Sequence, residues 1–305
     1  MTCGSACGPP LSEDSRRQIV VSSPSKLNLF LEVLARRDDG FHELETIMVR
    51  TSFCDTLRLR PRDDGRLVLR FSDATADTFR NSVPLDQTNL ILRAAEALRN
   101  RTGFSEGADL VLHKVIPPQA GLGGGSGNAA AALLGLRRLL GLPITDEELH
   151  EIAAGLGSDL NFLLSGERAA VCRGRGEIVS PLKLRGRYFF VATRPDQGNE
   201  TNRIFSSLRV PPEPVSCAPL VQLLERGEAA GMDQLFFNRL TDAASLHNAA
   251  MRSMMQEIQR CSRQRVCMSG SGSTIFVRCQ SYTAANRMRR FLQQLLRRDA
   301  WVLQV

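Results

Sequence analysis

Five glycines within seven residues, Gly121–Gly127, are the feature that most constrains how this chain can fold. The Ala- and Leu-rich stretch that follows them, Asn128–Leu140, predicts a helix. Glycines let a backbone approach a ligand closely and point successive N–H groups inward, and the helix adds the positive end of its dipole. Loop and helix together predict a phosphate-binding loop, and an ordinary glycine-rich turn is the alternative.

This loop matches neither of two common nucleotide-binding motifs. No Lys-Ser or Lys-Thr pair follows the glycines, as a Walker loop requires. The spacing of the predicted strand, turn and helix along the sequence also does not match the GxGxxG motif of dinucleotide-binding proteins. We therefore expect a phosphate loop of a different class.

Length and composition exclude several classes of protein. The 305 residues suggest about two domains, and 43% hydrophobic with 23% charged residues is ordinary for a globular protein. No stretch approaches the ~18 uninterrupted apolar residues of a membrane helix, so we expect no membrane-spanning segment. Residues 1–18 lack the apolar core of a secretory signal, and we expect them to form a flexible tail.

Charge and cysteines indicate the partners and the compartment. The net charge is +7, and only Lys26, Lys114 and Lys183 are lysines among 39 basic residues. The arginines are spread along the chain, aromatics are 6%, and no nucleic-acid motif is present, so an anionic small molecule is the expected partner. The eight cysteines lack paired spacing, and Cys3 and Cys7 have no nearby partners for zinc, so we expect reduced thiols in the cytoplasm.

The apolar pattern predicts an α+β protein. Leu57–Arg60 and Leu67–Phe71 alternate with period two around Asp63-Asp64-Gly65, which predicts a β-hairpin. Thr145 and Glu148 predict a capping box that opens a helix to about Ala154.

The second half predicts helices at Ala218–Glu225, Leu240–Arg260 and Ala284–Arg298 among short strands. That order suits a mostly antiparallel sheet with a helical layer. The best domain boundary is Ser180–Gly186, where proline and glycine interrupt the pattern.

Two shorter segments accompany the glycine loop. Pro24-Ser-Lys-Leu-Asn28 begins an apolar strand, and Lys26 and Asn28 lie two apart, hence on one face of it. Met268–Thr274 is a second Gly-Ser loop between two predicted strands. Taken alone, Lys26 reads as a surface lysine and the second loop as a hairpin connection.

In this order, the three segments resemble those of the GHMP kinases. The resemblance runs from about residue 19 to the C-terminus and is dense to about Glu177; it extends to Arg37–Leu44 and to Gly157-Ser-Asp-Leu. It implies a two-domain α+β fold with the active site in the cleft. Residues 19–182 would be an ATP-binding domain of the ribosomal S5 domain 2-like type, and residues 183–305 a ferredoxin-like domain.

The resemblance also implies roles for single residues. Lys26 and Asp159 would be the catalytic pair of an ATP-dependent kinase of isoprenoid precursor biosynthesis, with Mg²⁺ and a small cytidine-diphosphate substrate. Asn28 and His42 would hold that substrate, with Phe41 and Phe205 stacking on its base. The protein would act in the cytoplasm as a monomer or weak homodimer, without nucleic acid or membrane. ATP phosphates would bind the residues of the glycine segment, which are Pro117, Pro118, Gln119, Ala120, Gly121, Leu122, Gly123, Gly124, Gly125, Ser126 and Gly127.

Residue chemistry gives an independent argument. Phosphoryl transfer to an alcohol needs positioning, charge stabilisation and one carboxylate base, which Asp159 can supply. Lys26 nearby would keep that carboxylate ionised and offset charge on the transferring group. The alternatives are an N-cap or Asx turn for Asp159, a surface position for His42, and an N-cap role for the candidate metal or phosphate ligand Ser126. Lys114 would face the nucleotide or be solvated.

Two positions depart from the family pattern. Gly127 replaces the second serine of Ser-Ser-Asn, and Leu160-Asn161 replaces Val-Pro after the aspartate. The first removes a hydroxyl near the phosphates, and the second frees the φ angle that proline would fix. These departures leave open a catalytically inactive binding protein of the same fold, besides a GHMP kinase for another small molecule.

Overall fold

The computed structural model describes residues 18–305, so most of the predicted tail at residues 1–18 lies outside the described residues. Eleven strands and eleven helices are described in this part of the chain. The strands are β1 Ile19–Arg36, β2 His42–Arg62, β3 Leu67–Phe71, β4 Gly107–His113, β5 Ala169–Gly174, β6 Ile178–Pro181, β7 Phe189–Thr193, β8 Phe237–Asn238, β9 Cys267–Met268, β10 Ile275–Cys279 and β11 Ala300–Gln304. The helices are α1 Asp77–Arg80, α2 Leu90–Thr102, α3 Gly124–Leu140, α4 Asp146–Leu156, α5 Leu160–Leu164, α6 Thr201–Ser206, α7 Ala218–Arg226, α8 Met232–Leu235, α9 Thr241–His247, α10 Ala249–Ser262 and α11 Tyr282–Leu296.

A seven-stranded sheet forms the first half of the molecule. Its order is β3-β4-β2-β1-β8, and β5 and β6 continue from the first part of β2. Helix α3 packs closely on β1 and β2, because Ala129–Ala132 are small and buried against them. A Cβ added to Gly135 would lie 2.6 Å from Leu59, so this glycine permits the close approach. The phosphate-loop helix is thus held against the strand that carries Lys26.

The predicted hairpin between Leu57–Arg60 and Leu67–Phe71 is wrong. Strand β4 lies between them, antiparallel to β2 and parallel to β3. Asp109 of β4 accepts from Arg62 Nη1 at 3.0 Å and from Arg70 Nη2 at 2.6 Å, which holds β4 in the gap. The Asp-Asp-Gly turn does bend the chain, but a turn signal does not specify the strand that pairs next.

The second sheet has the order β11-β7-β10-β9, and every neighbouring pair is antiparallel. Its strands follow a strand–helix–strand–strand–helix–strand sequence, and α11 packs on β7, β10 and β11. This is the ferredoxin-like order that the resemblance implies. The fold class is therefore confirmed as α+β.

Contacts cross from the second half of the chain into the first sheet. The short strand β8 pairs in parallel with Phe30 and Leu31 of β1. Next to it, Arg239 forms an ion pair with buried Glu32 of β1 at 2.7 Å. The domain limits 19–182 and 183–305 stay a prediction.

Two helix predictions have different outcomes. The capping box of Thr145 and Glu148 is present and opens α4. The single helix predicted over Leu240–Arg260 is divided into α9 and α10 at Asn248, whose side chain accepts from Met251 N and caps the second helix. No helix in residues 18–305 is long and apolar enough to cross a membrane.

Candidate active site

Lys26 lies at the centre of the site on β1. Its ammonium donates to Asn28 Oδ1 at 2.5 Å and lies 3.4 Å from Asp159 Oδ2. The lysine side chain is 3% exposed and that of Asp159 is 26% exposed, so a buried cation faces a carboxylate that is open to the cleft. The amide N–H of Lys26 donates to Leu122 O at 2.9 Å, which joins β1 to the glycine loop.

Asp159 stands between α4 and α5. It occupies the N-cap position of α5, yet its side chain makes no capping hydrogen bond, so the carboxylate faces Lys26 instead. Asn161, which replaces the proline of the family pattern, is buried and donates through Nδ2 to Glu177 O at 3.0 Å. That bond holds the start of α5 where the proline ring is missing.

The glycine loop ends inside α3. Gly123 is the N-cap with a φ of +69°, so Gly124 and the residues up to Gly127 form the first helical turn, one turn earlier than predicted. Ser126 therefore does not have the N-cap role that the sequence left open. A first helical turn exposes unpaired N–H groups, which suits a phosphate ligand.

Glycines of the loop serve different purposes. A Cβ on Gly121 would lie 2.2 Å from Ser269 O, and one on Gly127 would lie 2.8 Å from Ser23 Oγ. These two positions need glycine for packing against the protein. Gly125 has no atom within 4 Å of an added Cβ, so its open side faces the cleft. Gly127 itself does not line the cleft.

The second Gly-Ser loop closes on the first. Ser269 Oγ donates to Gly121 O at 2.9 Å and accepts from the amide of Asn28 at 3.3 Å. A Cβ on Gly270 would lie 3.1 Å from Lys26 Nζ. Asn238 of β8 holds this loop by donating to Met268 O and Gly270 O, both at 2.8 Å.

An aromatic wall lies on the other side of the cleft. The rings of His42 and Phe205 are 5.1 Å apart between centroids, and Phe41 is half exposed. Burial, and to a lesser extent the charge of Arg36, lower the pKa of His42 below its usual 6.5. The imidazole is therefore neutral at pH 7 and can both donate and accept a hydrogen bond. The guanidinium of Arg175 lies over the Phe41 ring at 4.7 Å.

The Lys26–Asp159 pair, the two loops and the aromatic wall contribute residues to one cleft of about 990 Å³. It brings together every predicted site residue except Gly127. The sequence reasoning missed others in its walls, notably Arg175 of the β5–β6 turn and Asn199. No motif marks those two positions, since their place depends on how distant turns pack.

Lys114 is neither solvated nor part of the cleft lining. It lies under the first turn of α3, is 3% exposed and donates to buried Asp55 Oδ2 at 2.5 Å. Burial lowers the pKa of Lys114, and the charge and hydrogen bond of Asp55 oppose that effect. Asp55 Oδ1 also accepts from the amides of Val115 and Ile116, so it fixes the chain just before the glycine loop.

A nearby thiol, that of Cys172, does not line the cleft. Cys172 is fully buried, and burial together with the charge of Asp159 raises its pKa to about 12. In residues 18–305, no group of three or more His, Cys, Asp or Glu side chains is arranged to hold a metal ion.

Fold and site together define a GHMP kinase. The GHMP kinases N terminal domain family matches residues 89–166. A homoserine kinase structure from Cytophaga hutchinsonii shares the fold at 16% identity, with a TM-score of 0.70 over 97% of this chain and 96% of that one.

Closer relatives identify the branch of that class. The chain is 32% identical over 269 residues to the 4-diphosphocytidyl-2-C-methyl-D-erythritol kinase of Shouchella clausii, covering 88% of each. It is 36% identical to the same kinase of Rhodococcus jostii, covering 89% of this chain and 87% of that one. A crystal structure of 4-(cytidine 5'-diphospho)-2C-methyl-D-erythritol kinase matches at 31% identity and a TM-score of 0.76 over 94% of this chain and 98% of that one. The chain belongs to the 4-diphosphocytidyl-2-C-methyl-D-erythritol kinase family.

Proposed function

We infer that this chain transfers the γ-phosphoryl group of ATP to the 2-hydroxyl of 4-diphosphocytidyl-2-C-methyl-D-erythritol. The products are the 2-phosphate and ADP, in the non-mevalonate route to isopentenyl diphosphate. The observation that carries this inference is the Lys26–Asp159 pair, 3.4 Å apart, in the cleft between the glycine loop and the aromatic wall. One side of the pair suits ATP and the other suits a nucleotide-bearing alcohol.

We assign the ATP phosphates to Pro117–Gly127 and the first turn of α3. Gly121, Gly123 and Gly125 line the cleft, Gly125 has open space on the side of an added Cβ, and the helix dipole favours the negative charge. Mg²⁺ would arrive with the nucleotide, because the described residues offer no acidic cluster for a resident ion. Ser126 remains the candidate protein ligand, since it lies in the first turn of α3 and lines the cleft.

We assign the cytosine to the aromatic wall. Phe41 and Phe205 would stack on its two faces, and neutral His42 would read its polar edge. An aromatic platform beside a hydrogen-bonding imidazole has no purpose for a GHMP kinase whose substrate lacks a nucleoside. This pair of features therefore favours the cytidine substrate over a sugar or phosphomevalonate.

The chemistry follows from the pair itself. Asp159 accepts the proton of the attacking hydroxyl, and Lys26 offsets the charge of the phosphoryl group as it moves. Asn28 has both ends of its amide occupied, by Lys26 Nζ and by Thr46 Oγ1 at 2.8 Å. Its part is therefore to orient the lysine as well as to border the substrate.

ADP release against a panel of acceptors tests the function. With ATP and Mg²⁺, 4-diphosphocytidyl-2-C-methyl-D-erythritol should support turnover, whereas methylerythritol phosphate, homoserine and mevalonate should not. Turnover with a nucleoside-free alcohol would favour another GHMP kinase. Binding of the cytidine substrate without any turnover would favour the inactive binding protein, against which the intact Lys26–Asp159 pair argues.

A further inference from the structure

Arg175 lines the same cleft as the aromatic wall and the proposed proton acceptor. It is at the turn between β5 and β6, and its guanidinium covers the Phe41 ring at 4.7 Å. The same turn packs against Ser158, the residue before Asp159, because a Cβ on Gly176 would lie 3.3 Å from Ser158. The side chain therefore touches the base-binding wall, and its turn packs beside the segment that carries the proposed proton acceptor.

The turn that carries Arg175 is fixed in place. Flanking Gly174 and Gly176 have φ angles of +70° and +117°, and a Cβ on Gly176 would lie 3.3 Å from Ser158. Arg175 Nη2 donates to Ala154 O near the end of α4 at 2.9 Å. A planar guanidinium held at one nitrogen and stacked on a ring has lost most of its rotamer freedom, so a further contact costs it little entropy.

The positive charge of Arg175 is only partly compensated. Its ion-pair partner within residues 18–305 is Glu177, whose Oε1 is 3.8 Å from Nε, beyond hydrogen-bond distance. The other oxygen of Glu177 accepts from the Arg175 backbone amide at 2.6 Å. Asp39, another acidic residue of the cleft, forms its ion pair with Arg37 at 3.1 Å; its pKa is lowered by a hydrogen bond from the Phe41 amide and by the charges of Arg37 and, to a lesser extent, Arg175. The Arg175 side chain is 27% exposed and lines the cleft, so an anion there can reach it.

The proposed acceptor carries such an anion, its diphosphate. Its base would bind at Phe41 and His42, and its reacting hydroxyl must reach Asp159, so the diphosphate that joins them spans the interval that Arg175 borders. We propose that Arg175 binds this diphosphate and is a specificity determinant for the acceptor, an inference that rests on the proposed function. Arginine is well suited to the task, because its N–H fork matches phosphate oxygens in pairs.

Calorimetry with cytidine, cytidine monophosphate and cytidine diphosphate distinguishes two roles of Arg175. It either binds phosphate or only supports the Phe41 ring. Arg175→Gln should weaken cytidine diphosphate about ten- to a hundred-fold, and cytidine monophosphate less, because a charged hydrogen bond is lost. Cytidine should change by less than about threefold, the size of a modest packing effect. Equal weakening of all three ligands would overturn the proposal and leave Arg175 as a support for Phe41.

Three further variants complete the design. Arg36→Gln removes an exposed arginine that also lines the cleft, and a loss of diphosphate affinity in that variant but not in Arg175→Gln would also overturn the proposal. Arg168→Gln, an exposed arginine outside the cleft lining, is the matched control and should change nothing. If Arg175→Gln fails to fold, Arg175→Lys decides by the same comparison, with a smaller loss on cytidine diphosphate expected. Wild-type protein that binds none of the three ligands would refute the proposed function itself.

Discussion

Gly125→Val tests the phosphate loop without disturbing the fold. An added Cβ at Gly125 meets no atom within 4 Å, and the position lies in the first turn of α3 and lines the cleft. We expect the free energy of unfolding to change by less than about 0.5 kcal/mol, as for an open surface position. The branched side chain would occupy the space of the phosphates, so ATP should bind at least about tenfold more weakly, or ~1.4 kcal/mol.

Substitution of the neighbouring Gly124, in contrast, should lower stability. A Cβ on Gly124 would lie 2.9 Å from Ile116 Cγ2 and 3.1 Å from Lys114 Nζ, both inside the protein. Overpacking of this kind costs about 1–3 kcal/mol, partly offset by the up to ~1 kcal/mol that alanine gains over glycine in a helix. Gly124→Ala should therefore lower the free energy of unfolding by up to about 2 kcal/mol.

ATP affinity by calorimetry and stability by urea unfolding measure the two effects side by side. Gly155→Val is the control, because Gly155 is an exposed helical glycine with no atom near an added Cβ and lies outside the cleft lining. It should bind ATP normally. Wild-type ATP affinity in folded Gly125→Val protein would remove this loop from the ATP site.

The remaining predictions concern the pair, the base and the buried ion pair. Asp159→Asn should lower kcat by about 10²–10⁴-fold in steady-state assays, with both KM values within a few fold, because the charge is needed in the transition state. Lys26→Arg should also have a low kcat although the charge is kept, because Lys26 is buried and a planar guanidinium does not replace a compact ammonium. Turnover above a third of wild type would contradict this. His42→Ala should raise KM for the cytidine substrate and not for ATP. In the wild type, KM for the cytidine substrate should rise only as the pH falls below 6.5, because burial lowers the pKa of His42 and the neutral ring is the form that binds. Asp55→Ala should lower the free energy of unfolding by about 3–5 kcal/mol in urea titrations, because Lys114 would be left buried and unpaired; a loss below 1 kcal/mol would refute that role.

Local sequence signals predicted local structure well. The capping box of α4 and the antiparallel second sheet follow from short patterns of residue type. The resemblance to the GHMP kinases, which the three motifs carry, also predicted which segments would meet in one cleft. The reason is that glycine runs, caps and alternation act within a few residues, where a sequence is easily read.

Tertiary packing decided the features that the sequence could not predict. Strand β4 enters between β2 and β3 because Asp109 and Gly107 fit there, which the turn at Asp64 cannot reveal. The glycine run does not reveal that a Cβ on Gly124 would contact Ile116 inside the protein, because that contact depends on how the preceding segment packs. Arg175 lines the cleft from a turn that packs against Ser158 and is held by Ala154 O. Each of these depends on a neighbour distant in the sequence.

Single-turnover product analysis tests the central claim most directly. Excess enzyme is mixed with ATP, Mg²⁺ and 4-diphosphocytidyl-2-C-methyl-D-erythritol, and the product is followed by phosphorus NMR and mass. Our account predicts one new phosphomonoester on the 2-hydroxyl, formed at least about a hundredfold more slowly by Asp159→Asn. A phosphate at another position, or equal rates for the wild type and Asp159→Asn, would contradict it.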